Sequence, residues 1–170
     1  KLVVDFEALH AATSSKEVLK LISGNSDLSW EMIPTQFMKD PAVAMALLPN
    51  MGLTALIRQL GRLSAIGVLN PMSEGQKIVT AKLGDAEALK AARVHPITIL
   101  QAMKQYGAGR GERGSLVWST NQRIVDSLDA AFYGAFSNVE DTGAGILLGV
   151  DCSGSMFSAT VNGAPTLNAA

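Results

Sequence analysis

The hydrophobic period of this sequence changes once, and the change divides the chain. From Leu2 to about Asn138, apolar residues recur at helical spacing, broken by short turn signals. From Gly145 the pattern becomes a continuous apolar run, Gly145–Ile146–Leu147–Leu148–Gly149–Val150, closed by Asp151. So short a run, bounded by glycine, suits a central strand of a parallel sheet, where both faces are covered. The expected fold is therefore mostly α over 1–138, with a linker over 139–144 and the start of an incomplete α/β unit over 145–170.

Within the first part, the spacing predicts a helix near Val3–Leu21, ended by Gly24 and Asn25. A second is expected to open at Ser29 and to carry Trp30, Ile33, Phe37 and Met38, with Pro34 in its first turn or so. Asp40–Pro41 restarts a short helix, and Thr54 caps a strongly apolar one holding Leu56, Ile57, Leu60, Leu63, Ile66 and Leu69. Ser73–Leu83, Asp85–Val94, Ile97–Tyr106 and Asn121–Phe136 complete the set. Short helices with brief links suit helix pairs stacked as an α-solenoid better than a compact bundle, although no repeat aligns at a fixed period.

The single cysteine excludes an intrachain disulfide, and no apolar run approaches membrane-spanning length. A net charge of −1 conceals an uneven distribution. Between Lys77 and Arg123 there are eight Lys and Arg residues against three acids, a local excess of +5. Such a segment reads either as solvated helix faces or as a surface for a polyanion. Gly107–Ala108–Gly109–Arg110–Gly111–Glu112–Arg113–Gly114 has too many glycines for a helix and is expected to be a loop. It is a flexible connector, or a phosphate contact through Arg110 and Arg113. No Lys–Ser/Thr follows, so it is not a nucleotide P-loop.

Asp151–Cys152–Ser153–Gly154–Ser155 follows the apolar run directly. At the carboxyl end of a parallel strand, Asp151, Ser153 and Ser155 would offer three oxygens to a hard divalent cation such as Mg²⁺. The D-x-S-x-S pattern is the first part of the metal-ion-dependent adhesion site of von Willebrand factor A domains; a Ser/Gly turn closing a strand reads as well. Enzymatic readings of the stretch fail. An aspartyl phosphatase needs a carboxylate where Ser153 stands, and no Lys or Arg follows Cys152 to hold a phosphate. A nucleophilic serine would need a base, and the only histidines are His10 and His95. His95, before Pro96, is a packing or capping residue or a phosphate donor. Trp30 and Trp118 are expected in the core or at an interface rather than as base-stacking platforms.

Several stretches together resemble the Ro autoantigen (TROVE-domain) family. They are Met51–Gly52–Leu53–Thr54–Ala55–Leu56–Ile57–Arg58–Gln59–Leu60–Gly61, then Lys90–Ala91–Ala92–Arg93–Val94–His95–Pro96, and the glycine–arginine loop ending at Trp118. Leu128–Asp129–Ala130–Ala131–Phe132–Tyr133, Val139–Glu140–Asp141–Thr142–Gly143 and Val150 to Met156 follow in the family's order and spacing. Asp141 replaces a proline of the family pattern, which should loosen the linker.

The resemblance covers roughly residues 28–156 and implies a non-catalytic scaffold of HEAT-like helical repeats, closed into a ring by an A domain with a divalent-metal site. It further implies cytoplasmic binding of small structured noncoding RNA (Y RNA) and of misfolded RNA ends in RNA quality control, with an exoribonuclease or other protein as partner and neither DNA nor a membrane. Candidate RNA contacts are Lys90, Arg93, His95, Arg110 and Arg113. Only Asp151, Ser153 and Ser155 of the metal site fall within the sequence, so the site is incomplete. The alternative is a metal-dependent protein-interaction module working through the A domain.

Overall fold

The structure, a computed structural model, describes residues 1–111, 115–158, 160–161 and 164–168. Among them the helices are α1 (Leu2–Ala11), α2 (Ser15–Gly24), α3 (Pro41–Leu47), α4 (Leu53–Ala65), α5 (Glu74–Leu83), α6 (Ala86–Ala91), α7 (Pro96–Gly107) and α8 (Gln122–Gly134). A 3₁₀ turn at Ala135–Asn138 closes the helical part.

Most helix starts have a local cause. Ser14, Asp40, Ser73, Asp85, His95 and Asn121 each accept a hydrogen bond from a backbone N–H of the turn that follows. Three expectations fail. Thr54 does not cap α4, which opens at Leu53 after Gly52 without a side-chain cap bond and ends at Ala65, before Leu69. The single helix over Val3–Leu21 is two, because Ser14 and Glu17 form a capping box: the Glu17 N–H donates to Ser14 Oγ and the Thr13 N–H to Glu17 Oε2. The helix expected from Ser29 is only two 3₁₀ turns, Trp30–Met32 and Phe37–Lys39. Pro34 disfavours helical backbone at the preceding residue, and Ile33 is extended, with φ −79° and ψ 128°.

The helices stack in order. α4 packs on α7 and α5 packs on α8, so one pair of helices lies on the next in the same sequence. The offset between equivalent helices is roughly forty residues, the spacing of two-helix solenoid repeats. The core lies between the layers. Leu56, Leu60 and Leu63 of α4, Val79 and Leu83 of α5, Ile99 of α7, and Ile124 and Leu128 of α8 are almost wholly removed from solvent. Each such side chain contributes about 1.5–3 kcal/mol of burial.

A polar pair, Asn121 and Gln76, is sealed inside the stack. Asn121 Nδ2 donates to Leu69 O and to Gln76 Oε1, both at 2.9 Å, and Gln76 Oε1 also accepts from Met72 N at 2.8 Å. Gly75 lies so close to the Val68 carbonyl that a side chain has no room there.

Beyond Asn138 the structure departs from the expected central strand. Residues 145–150 pair with no strand, and Ile146, Leu147, Leu148 and Val150 are exposed, Leu147 by 98%. Nor does the run pack on the helices. A central parallel strand is held by ladders on both edges and by cover on both faces. Among the described residues nothing supplies either. The strands that do form lie later: β1 (Thr160–Val161) and β2 (Ala164–Asn168), an antiparallel pair with Thr160 opposite Asn168.

Candidate nucleic-acid interface

The candidate residues Lys90, Arg93 and His95 occupy the turn from α6 to α7. α6 ends at Ala91, and Arg93 takes a left-handed conformation, φ 49°, that reverses the chain. Val94 is buried and anchors the turn. From the 3₁₀ turn after α8, Asn138 Nδ2 donates to Leu89 O at 3.1 Å and Val94 O at 3.2 Å, clamping both sides of the bend.

His95 caps α7: its Nδ1 accepts from Ile97 N at 3.2 Å, with Pro96 at the first helical position. With Nδ1 used as an acceptor, the neutral ring carries its proton on Nε2, which is left to donate outward. Capping and donation to a phosphate are therefore compatible roles for one imidazole.

Lys90, Arg93 and His95 are all exposed and line one open cavity of about 760 Å³ with Glu87, Ala91, Asn138 and Glu140. Two carboxylates on the wall offset the two cations, so this cavity is close to neutral.

The glycine–arginine loop follows α7 at its far end. Its described base is closed by hydrogen bonds. Arg110 and Val117 form an antiparallel bridge, Gly111 N donates to Leu116 O at 2.9 Å, and Trp118 N donates to Gly109 O at 2.9 Å. Trp118 fastens this base to the helices: its Nε1 donates to Tyr106 O at 3.0 Å and its ring stacks on Tyr106, centroids 6.2 Å apart. Gly61 of α4 leaves the space that the indole fills. Both tryptophans are buried, as their sequence context implied.

Arg110 is exposed at this base; Arg113 lies outside the described residues. Twelve residues of α7 separate His95 from the loop. At about 1.5 Å per residue, that is roughly 18 Å. The structure thus places the candidates at two ends of one helix rather than in one patch.

The rest of the basic segment is unevenly available. Lys77 pairs with Glu74 at 3.3 Å, and Lys82 Nζ donates to Met51 O at 2.8 Å. Burial pushes the Lys82 ammonium below its usual range, because a desolvated charge is disfavoured. Lys104 and Arg123 are exposed. Sequence reasoning passed over Arg58 of α4. It is exposed and lines a cavity of about 310 Å³ under the loop as well as a larger one, about 650 Å³, beside Trp30. The signal was present: a cation between Ile57 and Gln59, one of two in a helix whose apolar stripe faces the core.

The loop after the apolar run has defined local geometry. Ser153 N donates to Asp151 Oδ1 at 2.8 Å, and the Ser153 and Ser155 hydroxyls are 3.0 Å apart. Hydrogen bonds from the Ser153 backbone and then its hydroxyl hold the Asp151 carboxyl below the usual carboxylate range. Asp151, Ser153 and Ser155 are all exposed. Among the described residues no three His, Cys, Asp or Glu side chains gather as a metal-binding group.

Set against known proteins, residues 2–105 match the model of the TROVE domain. The chain belongs to the TROVE-domain family. It is 38% identical over 145 residues to the RNA-binding protein RO60 of Caenorhabditis elegans, covering 85% of this chain and 22% of that protein. It is 40% identical over 141 residues to the RNA-binding protein RO60 of Deinococcus radiodurans, covering 82% and 26%. The crystal structure of the Deinococcus radiodurans RO (RSR) protein superposes with a TM-score of 0.87 at 35% identity, over 98% of this chain and 33% of that one. The chain therefore spans about a quarter of these TROVE relatives' length. The family assignment also accounts for the stacked helix pairs, which the fold shows independently.

Proposed function

We propose that this chain binds small structured noncoding RNA of the Y RNA kind, together with the ends of misfolded RNA, as a non-catalytic part of a cytoplasmic ribonucleoprotein. Its likeness to two proteins named for RNA binding carries the reading. The geometry supplies the residues: Lys90, Arg93 and His95 at one end of α7, and Arg110 at the other, stand exposed and are not ion-paired among the described residues.

Phosphates would be met by the guanidinium groups and by His95 Nε2, a mode that favours RNA backbone over any one sequence. Among the described residues no histidine is hydrogen-bonded to a serine, threonine or cysteine side chain. His10 packs on Phe6, with ring centroids 4.5 Å apart, and His95 is committed to its cap. In this reading, 1–138 is the helical-repeat region, 139–144 the linker and 145–170 the opening of an A domain. An exoribonuclease or another protein is the partner of that assembly.

The test is binding of a hairpin RNA with a single-stranded 3′ tail, titrated across potassium chloride. Affinity should fall steeply with salt, and Arg93→Ala and Arg110→Ala should each lower the slope by about one. Absence of binding at low salt by a chain with intact helical circular dichroism overturns the proposal.

A second reading rests on the close approach of the Ser153 and Ser155 hydroxyls. Asp151, kept ionised, and these two hydroxyls fit part of the oxygen set of a divalent cation such as Mg²⁺. One carboxylate and two hydroxyls leave that set incomplete. When bound, the cation would supply a hard acceptor for an oxygen ligand of a protein partner. Asp151→Ala would then abolish partner capture and leave RNA binding intact; equal loss of both removes this reading.

A further inference from the structure

We infer that the cavity under the glycine–arginine loop receives one unpaired nucleobase of a single-stranded RNA segment. The inference rests on the RNA-binding reading and deepens it. Three separate parts of the chain build the cavity: Arg58 and Leu60 of α4, Gln105 of α7, and Leu116 and Trp118 of the loop's return arm. Its volume, about 310 Å³, stands at the small end of ligand-sized clefts.

Its chemistry is that of a base site. Leu116 gives the exposed apolar wall, against which the face of any base can pack, and the largely buried Leu60 and Trp118 lie beneath it. Gln105 is half-buried on the wall, and its amide makes no hydrogen bond to the described residues. A primary amide offers both donors and acceptors, which complements the polar edge of a base. Arg58 at the rim is exposed and without an ion pair among the described residues, so it can meet the phosphate beside that base.

Among the described residues no acidic side chain lines it, in contrast to Glu87 and Glu140 in the cavity at the other end of α7. The described lining carries the charge of Arg58 alone, which favours a polyanion, whereas the other cavity is balanced. The wall is also pre-formed: the Trp118 bond to Tyr106 and the bridge at Arg110 hold the loop over α4, so ordering it costs the RNA little.

The experiment compares two RNAs that share one hairpin, with a 3′ tail carrying bases or an abasic tail of equal length. Fluorescence anisotropy is read at fixed salt. The full chain should prefer the base-bearing tail on the order of ten-fold, the range that one stacked base carries. Gln105→Leu should erase most of that preference while leaving the salt-dependent binding of the abasic RNA, whereas Arg58→Ala, which removes a phosphate contact, should weaken both RNAs and lower the salt slope by about one. Circular dichroism confirms that both variants fold.

Equal affinity of the native chain for the two tails, or a preference that survives Gln105→Leu, overturns the base site and leaves RNA binding standing. Failure of the folded chain to bind either RNA overturns both readings together.

Discussion

Trp118 and Gly61 are complementary: a Cβ built at position 61 would lie 2.7 Å from the six-membered ring of the Trp118 indole. Alanine at an ordinary helix position stabilises over glycine by roughly 0.5–1 kcal/mol. Here the indole is held on its other side by Tyr106 and cannot retreat without losing a buried hydrogen bond. Gly61→Ala should therefore destabilise the chain by about 1–3 kcal/mol, against the helix-propensity trend. Thermal unfolding by circular dichroism measures it, and a gain in stability would show that the indole is free to move.

Asn138 should matter well beyond its own turn. Its amide satisfies two carbonyls across the α6–α7 bend. Asn138→Ala leaves both without that donor and should cost about 1–3 kcal/mol. Asn138→Asp keeps the shape but turns an acceptor toward two carbonyls, so it should be at least as damaging. Backbone amide exchange at Arg93 and Val94 should accelerate in both variants; unchanged exchange there means that the clamp is dispensable.

Two carboxylates make the stability of the N-terminal helices depend on pH. Glu17 is held below its usual range, chiefly by the Thr13 N–H, and Asp40 by the Ser15 hydroxyl and then the Ala42 N–H. Because folding lowers these values, the contribution is present above the ordinary carboxylate range. It declines as pH falls through that range and is lost only below the lowered values. Helical signal should thus fray on acidification at α2 and α3, and Glu17→Gln should flatten the α2 part. Fraying that begins near neutral pH would point to other groups.

The separation of the two cationic positions along α7 carries a quantitative consequence. At roughly 18 Å, Arg93 and Arg110 share no partner, and changes at such sites add within about 0.3–0.5 kcal/mol. The double variant Arg93→Ala/Arg110→Ala should lose RNA affinity by the sum of the single losses. A marked deviation, measured in a double-mutant cycle on the tailed hairpin RNA, would mean that the two residues contact one RNA element.

Much of the helical fold could be read residue by residue, because its signals are local. Ser73, Asp85 and Pro96 announce helix starts, and Leu56, Ile57, Leu60 and Leu63 repeat at helical spacing; all of these appear as expected. The failures were local as well. The Ser14–Glu17 box and the backbone restraint of Pro34 were both in the sequence but were outweighed by apolar periodicity, which does not register a three-residue interruption.

Other features lay beyond local pattern. The run Ile146 to Val150 has the composition of a central strand, yet a strand exists only where another strand pairs with it, and the described strands β1 and β2 pair with each other instead. Glycines at 107, 109, 111 and 114 implied a loop, but its closed base depends on Trp118 reaching Tyr106 and Gly61. Helix identity, capping chemistry and the local density of positive charge follow from interactions within a few residues, so the order of amino acids was enough to establish them. Tertiary packing alone decided that α4 lies on α7, that Asn138 grips Val94, that Glu140 faces Arg93 across one cavity, and that Arg58 meets the loop. Those pairings span many residues of chain, and their register is set by the shape of the shared core rather than by any nearby sequence.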